Sequence, residues 1–303
     1  MSNDSSQSGE TTRSSVSAAR DDASVDCPRG DSVECDSNRD AHDLLEQDVD
    51  LAVYKDLQGV NVFITGGGSG IGAYLVAAFS LQGANVGFVS LNDKTAHSLC
   101  DRVAARCKGR QPHYYPCDIR DIVALKHSID SFQAQFGAIG VLINNAARDT
   151  RHDVETYTVE EWDDALNTNL RPHFFTTQSV AGWMRCSGGG SIINVGSNCS
   201  LLGLAGYPAY VASKAAIHGL TRALARELGS AGIRVNSLIP GWVMTERQRL
   251  LWVNEESLQA CIDAQSLKST ISGIDIAQAA LFLGSRASSM MTGQALVVDG
   301  GRA

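Results

Sequence analysis

Short apolar runs alternate with helical patterns along most of this 303-residue chain. The runs Val60–Ile64, Asn85–Val89, His113–Tyr115, Val141–Ile143, Ser191–Val195, Arg234–Ile239 and Ala295–Val298 carry little polar alternation. Such runs suit parallel strands buried on both faces. Between them, helical patterning covers Ile71–Ser80, Thr95–Cys107, Asp121–Phe136, a longer stretch ending at Arg185, Tyr207–Leu228 and Asp275–Leu283. The series predicts an α/β fold: a single doubly wound parallel sheet of about seven strands with helices on both faces, over residues 54–303. Residues 246–268 interrupt it as a small irregular insert.

The first 53 residues do not join the pattern. From Met1 to Asp40 there are ten serines, many acids and no aromatic side chain. A segment of this kind cannot bury enough surface to offset its ordering entropy, so 1–53 reads as a disordered, acidic, Ser-rich tail. Charge follows the same division. Residues 1–50 hold 13 acids and 4 bases, the remainder 20 acids and 21 bases. A near-neutral body offers no basic face for a phosphate backbone, which argues against nucleic acid as a partner. No run of 18 apolar residues exists to span a membrane. Eight scattered cysteines without a C-x-x-C pair read as reduced thiols, and the Ser/Asp-rich start lacks a signal-peptide pattern. Both features predict a cytoplasmic protein. Dispersed histidines, with His152 and His173 lacking a second ligand at metal spacing, predict no metal site.

Candidate chemistry begins at the first strand–helix junction, Thr65-Gly66-Gly67-Gly68-Ser69-Gly70-Ile71-Gly72. Glycines there let backbone amides approach a pyrophosphate, and the helix N-terminus adds partial positive charge. The position on that junction makes it the fingerprint of a Rossmann-type dinucleotide site. A second candidate is Tyr210-x-x-x-Lys214, whose spacing places both side chains on one helix face, with Ser197 thirteen residues upstream. Oxidising a carbinol requires loss of its hydroxyl proton, and a phenol with pKa about 10 is a poor base near neutrality. A nearby ammonium would stabilise the phenolate. Lys214 is therefore expected to lower the Tyr210 pKa, with Ser197 orienting the substrate oxygen.

These motifs resemble, in order, those of the short-chain dehydrogenase/reductase family: Thr65-Gly66-x-x-x-Gly70-x-Gly72, Asn144-Asn145-Ala146-Ala147, Asn169, Ser197, Tyr210-x-x-x-Lys214, and Pro240-Gly241 with Thr245. The resemblance covers about Leu57 to Gly301. Ala147 departs from it, since the family usually has Gly there. It implies a catalytic set of Asn169, Ser197, Tyr210 and Lys214, with Asn169 holding a water that links Lys214 to solvent. It also implies a cofactor site of Gly66, Ser69, Gly70, Ile71, Gly72, Ser90, Asp118, Ile119, Asn145, Tyr210, Lys214, Val243 and Thr245, in which Asp118 contacts the adenine amino group. Lys214 would hold the nicotinamide ribose as well, and a homotetramer is expected.

Dinucleotide folds that select NAD place an acid at the end of the second strand, where this chain has Ser90. NADP-preferring relatives carry a basic residue at Ser69 or just after Ser90, where this chain has Ser69, Leu91 and Asn92. NAD is favoured over NADP because a 2′-phosphate would lack a guanidinium partner, with Lys94 a loose alternative. For the substrate, Arg148–His152, Pro240–Gln248 and Gln265–Lys268 resemble bacterial aldose 1-dehydrogenases of the D-xylose type. That resemblance implies oxidation of an aldose at C1 to its lactone, with Asp149, His152, Ser197, Asn198, Tyr210 and Trp242 around the sugar. Two alternatives stay open. Leu250, Leu251, Trp252, Val253, Leu258 and Ile262 in the insert could form an apolar lid for a 3-oxoacyl or other ketone reductase. A catalytically silent cofactor-sensing protein is the other.

Overall fold

A computed structural model of the chain describes residues 40–47 and 49–303. Seven strands, β1 Asn61–Thr65, β2 Asn85–Ser90, β3 His113–Pro116, β4 Val141–Asn144, β5 Gly190–Val195, β6 Ile233–Pro240 and β7 Ala295–Val298, form one sheet. Its order is β3-β2-β1-β4-β5-β6-β7, and each neighbouring pair is parallel. The order reverses between β1 and β4, and a doubly wound sheet opens a crevice at the carboxyl ends of the strands there.

The weak polar alternation of the strands has a direct cause. In β1, Val62 and Ile64 belong to one apolar core and Phe63 to another on the opposite face, so successive side chains are all buried. The first core receives α2 (Gly70–Leu81), α3 (Asp93–Arg106) and α11 (Gly273–Gly284); the second receives α4 (Ile122–Phe136), α6 (Arg171–Cys186) and α8 (Pro208–Leu228). Each buried aromatic or aliphatic side chain of this kind contributes about 2 kcal/mol relative to exposure. Between β4, β5, α6 and α8 lies a buried polar network. Asn144 Nδ2 donates to Asn194 Oδ1 (2.9 Å), Asn194 Nδ2 to Thr221 Oγ1 (3.0 Å), and Thr176 Oγ1 to Asn144 Oδ1 (2.7 Å). Satisfied in this way, it locks the helices to the strand ends that carry the crevice.

Three expectations change. The long helical stretch ending near Arg185 is two helices, α5 (Val159–Asn169) and α6, broken at Leu170 (φ −129°, ψ −54°). Pro172, lacking an N–H and crowding the backbone before it, cannot continue α5. The insert is not irregular. It folds as α9 (Glu246–Leu251) and α10 (Glu255–Ala264), capped by Thr245 and by an Asn254–Ser257 capping box. Finally, residues 1–39 of the expected tail lie outside the described residues, but its later part is built into the fold. Helix α1 (His42–Glu46) buries Ala41, Leu44 and Leu45 in the first core beside α2 and α3. A short helix, α7 (Cys199–Leu202), follows β5.

Candidate active site

The crevice at the switch point has a volume of about 820 Å³ and is lined by the loop after β1, the ends of β4, β5 and β6, the start of α8, and residues of α9 and α10. Its floor at Gly66–Gly72 depends on missing side chains. Gly66 sits at φ +68°, and a Cβ there would meet Ala146 Cα at 2.8 Å. A Cβ on Gly72 would stand 1.9 Å from the Gly66 carbonyl oxygen. The backbone therefore folds against the first turn of α2, leaving a cradle at a helix N-terminus that fits a dinucleotide pyrophosphate.

Most residues expected around a cofactor gather here: Gly66, Ser69, Gly70, Ile71, Ser90, Asp118, Ile119, Asn145, Tyr210, Lys214, Val243 and Thr245 all line the crevice. Gly72 lies behind the loop rather than on the wall. Asn145 braces the loop: its Nδ2 donates to the Thr65 and Gly66 carbonyls (3.1 Å each), while Thr65 Oγ1 accepts from the Asn145 and Ala146 amides. Asp118 is held by Arg120, whose Nη2 approaches Oδ2 at 2.6 Å and whose other side pairs with Asp164, so the Asp118 carboxyl titrates below its ordinary range. Lys94, the loose partner considered for a 2′-phosphate, is not on the crevice wall.

Ser197, after β5, and Tyr210 and Lys214, one turn apart on α8, meet on the wall of the crevice. Lys214 is 1% exposed; its Nζ donates to the Val195 carbonyl at 2.8 Å and stands 5.6 Å from the Tyr210 ring centre. Burial lowers its pKa to about 8, so it remains largely charged at neutral pH. The phenol behaves differently from expectation. Burial pushes the Tyr210 pKa well above 10, the Asp149 carboxylate adds to the rise, and a hydrogen bond with Ser197 opposes it. The ammonium, turned to the Val195 carbonyl, does not outweigh desolvation, so the pKa of the buried phenol rises rather than falls. Asn169 is 1% exposed. Its Oδ1 accepts from Arg148 N (2.8 Å) and its Nδ2 donates to the Arg148 and Ala165 carbonyls (3.1 and 3.0 Å). It ties the loop after β4 to the end of α5.

That loop carries the polar end of the crevice. Asp149 Oδ2 accepts from Gln248 Nε2 (3.0 Å), and its Oδ1 pairs with Arg247 Nη2 (3.3 Å). Gln248 Oε1 in turn accepts from Trp242 Nε1 at 2.8 Å, which fixes the amide's orientation. Asn198 lines the crevice with its Nδ2 donating to Asp299 Oδ2 (3.2 Å). His152 does not join the group. Its Nδ1 meets the Thr150 carbonyl (3.1 Å), its Nε2 accepts from Ala209 N (3.3 Å), and its ring stacks on Tyr157 at 3.7 Å. With both ring nitrogens used, it pins the loop to the start of α8 and leaves none for a sugar hydroxyl.

Several wall residues were not singled out in the sequence. Arg247 and Gln248 fall within the quoted Pro240–Gln248 run, and Arg151 within Arg148–His152, but nothing local marks their pairing. The Arg151 guanidinium lies 3.8 Å over the Tyr207 ring, itself 5.6 Å from Tyr210, and its Nε is buried without a partner, as is that of Arg247. Arg302, at the C-terminal end, also reaches the wall.

The family model described as enoyl-(acyl carrier protein) reductase matches residues 66–303. A probable galactose dehydrogenase of Rhizobium meliloti is 46% identical over 82% of this chain and 96% of its own length. A D-xylose 1-dehydrogenase of Caulobacter vibrioides is 42% identical over 82% of this chain and 98% of its own. The galactose enzyme is thus the more similar of the two, and the xylose resemblance is not unique. A solved short-chain type dehydrogenase/reductase from Mycobacterium ulcerans superposes with a TM-score of 0.78 at 27% identity, covering 83% of this chain and 91% of that one. With the glycine cradle, the Ser197–Tyr210–Lys214 group and these matches together, the chain belongs to the short-chain dehydrogenase/reductase family, as an NAD(P)-dependent oxidoreductase acting on CH–OH groups.

Proposed function

We propose that this enzyme oxidises the anomeric hydroxyl of an aldose, such as D-galactose or D-xylose, to the lactone. One observation carries the reading: the insert turns polar and small side chains to the crevice, not its large apolar ones. Arg247, Gln248 and Ser257 line the wall with Ala260 and Cys261, while Leu250, Leu251, Trp252, Val253, Leu258 and Ile262 do not. A ketone reductase for an acyl chain would need those apolar side chains facing inward. A polyol needs convergent donors and acceptors, and Asp149, Gln248, Asn198 and Arg247 supply them next to the ring of Trp242. The named activities of the two aldose relatives agree with it.

In this reading Ser197 hydrogen-bonds the C1 oxygen and Tyr210 takes its proton. Bound NAD(P)⁺ supplies the hydride acceptor and a positive ring charge. That charge and the Lys214 ammonium favour the phenolate that burial and Asp149 oppose. Gly66, Ser69, Gly70 and Ile71 would hold the pyrophosphate, Lys214 the nicotinamide ribose, and Asp118 and Ile119 the adenine, with Val243 and Thr245 at the nicotinamide end. Asn169 acts through the Arg148 backbone as a positioning residue for Asp149. NAD is the preferred cofactor, since Ser69, Ser90, Leu91 and Asn92 offer no cation to a 2′-phosphate. Exposed Trp162, Phe174 and Trp183 on α5 and α6 fit subunit contacts of a homotetramer, which sedimentation would test.

A panel of aldoses with NAD and with NADP, followed at the reduced-nicotinamide absorbance, tests the proposal. Turnover of a pentose or hexose aldose with NAD at least about tenfold more efficient than with NADP is expected. Turnover of 3-oxoacyl substrates with no aldose activity would replace it by the reductase reading. Asp149→Asn separates binding from acidity. Its carboxylate raises the Tyr210 pKa, and Tyr210 must be deprotonated to accept the proton, so the variant's alkaline rise in kcat/KM moves to lower pH. Its KM for the sugar rises about tenfold as the carboxylate that holds Gln248 and Arg247 in place at the crevice is lost.

A further inference from the structure

The segment before α1 places a carboxylate on amides at the dinucleotide cradle. Asp40 Oδ2 accepts from the Gly70 amide at 2.7 Å, and its Oδ1 accepts from the Glu246 amide at 3.0 Å. Gly70 opens α2, and Glu246 follows Thr245; Gly70 and Thr245 mark one corner of the crevice. In a dinucleotide fold the amides at this helix start serve the cofactor's diphosphate. A carboxylate and a diphosphate are both anions seeking the same N–H groups, and each repels the other.

We propose that residues 40–46 are an autoinhibitory strap, in which Asp40 occupies one of the diphosphate's backbone donors, the Gly70 amide, and must leave it for NAD(P) to bind fully. The strap is anchored rather than adventitious. Asp40 is 3% exposed, its carbonyl accepts from Arg102 Nη2 at 3.1 Å, and Leu44 and Leu45 are 1% and 5% exposed against α2 and α3. It is also releasable. Five residues of helix form a single short turn, and burial pushes the Asp40 carboxyl above its ordinary range, so docking works against the carboxylate's own desolvation. A competing state of this kind lowers apparent cofactor affinity by the fraction of molecules in which that donor is taken.

Two full-length variants test the strap, Asp40→Asn and the double variant L44S/L45S, which loosens α1 without touching Asp40. Dissociation constants are measured for NADH and NADPH by fluorescence, and for adenosine, which lacks the diphosphate, by calorimetry; melting temperatures establish that each variant is folded. Both variants are expected to bind the preferred dinucleotide at least about fivefold more tightly than the unmodified chain, the scale of losing a charge-assisted hydrogen bond to a competitor, with adenosine unchanged. Unchanged or weaker dinucleotide binding by either folded variant overturns the proposal and makes Asp40 a structural brace. Equal tightening of adenosine overturns it too, because the effect would then not lie at the diphosphate donors. The aldose reading is untouched by any of these results, since no sugar enters the measurement.

Discussion

Tyr210→Phe retains the fold and the affinity for dinucleotide and loses at least about a hundredfold in turnover, the scale of acid–base assistance. The phenylalanine ring keeps the packing of Tyr210 against Tyr207, 5.6 Å away, so the wall of the crevice survives. What disappears is the oxygen that faces Ser197 and, in the proposed reaction, exchanges the substrate's proton. Steady-state kcat, a melting curve and a dinucleotide titration on the same preparation check all three parts. Full activity in this variant would remove Tyr210 from the chemistry, and a collapse in melting temperature would make its role structural.

Gly72→Ala is expected to act on binding and stability together. The added methyl would lie 1.9 Å from the Gly66 carbonyl oxygen, a backbone atom that cannot swing aside as a flexible side chain could. Relief requires the loop to move away from α2, which opens the cradle and displaces Gly66 from Ala146. Overpacking at a buried backbone contact costs about 3 kcal/mol. Dinucleotide affinity should fall at least about tenfold in parallel, measured by fluorescence titration well below the variant's melting temperature. Wild-type affinity in a variant of normal stability would contradict the account of the cradle.

Both variants rest on features legible in the sequence. The parallel sheet of seven strands, the glycine cradle and the Ser197–Tyr210–Lys214 group could be read because their signals are local: unbroken apolar runs, a glycine cluster on a strand–helix junction, and a four-residue spacing on one helix. The polar end of the crevice could not. Asp149 and Gln248 are 99 residues apart, and nothing in either stretch states that a carboxylate after β4 meets an amide on α9. The insert reads as irregular because its helices are short, 6 residues for α9 and 10 for α10, so that their starts at the caps Thr245 and Asn254 carry little periodic signal. His152 looked like a sugar ligand in an Asp-x-x-His run, yet its ring nitrogens are taken by the Thr150 carbonyl and the Ala209 amide. Helix α1 was hidden for a different reason: Leu44 and Leu45 are two apolar residues in an acidic segment, and only the surface they cover makes them part of a core.

The lysine–tyrosine relation shows the limit of a chemical argument made without distances. Spacing put Lys214 on the face of Tyr210, but burial of both groups dominates, lowering the lysine's pKa and raising the phenol's. A phenol whose pKa is raised by burial makes a definite demand on the proposed reaction. Below its pKa, the deprotonated fraction grows tenfold per pH unit, and turnover through Tyr210 would follow it.

The pH dependence of kcat/KM for the best substrate, from about pH 5.5 to pH 7.5 where Lys214 stays charged, is therefore the most direct test that Tyr210 accepts the substrate's proton. A rise with unit logarithmic slope in the wild-type enzyme, absent from the residual activity of Tyr210→Phe, is the predicted result. A wild-type profile flat across that range, or an identical rise in both proteins, would contradict it.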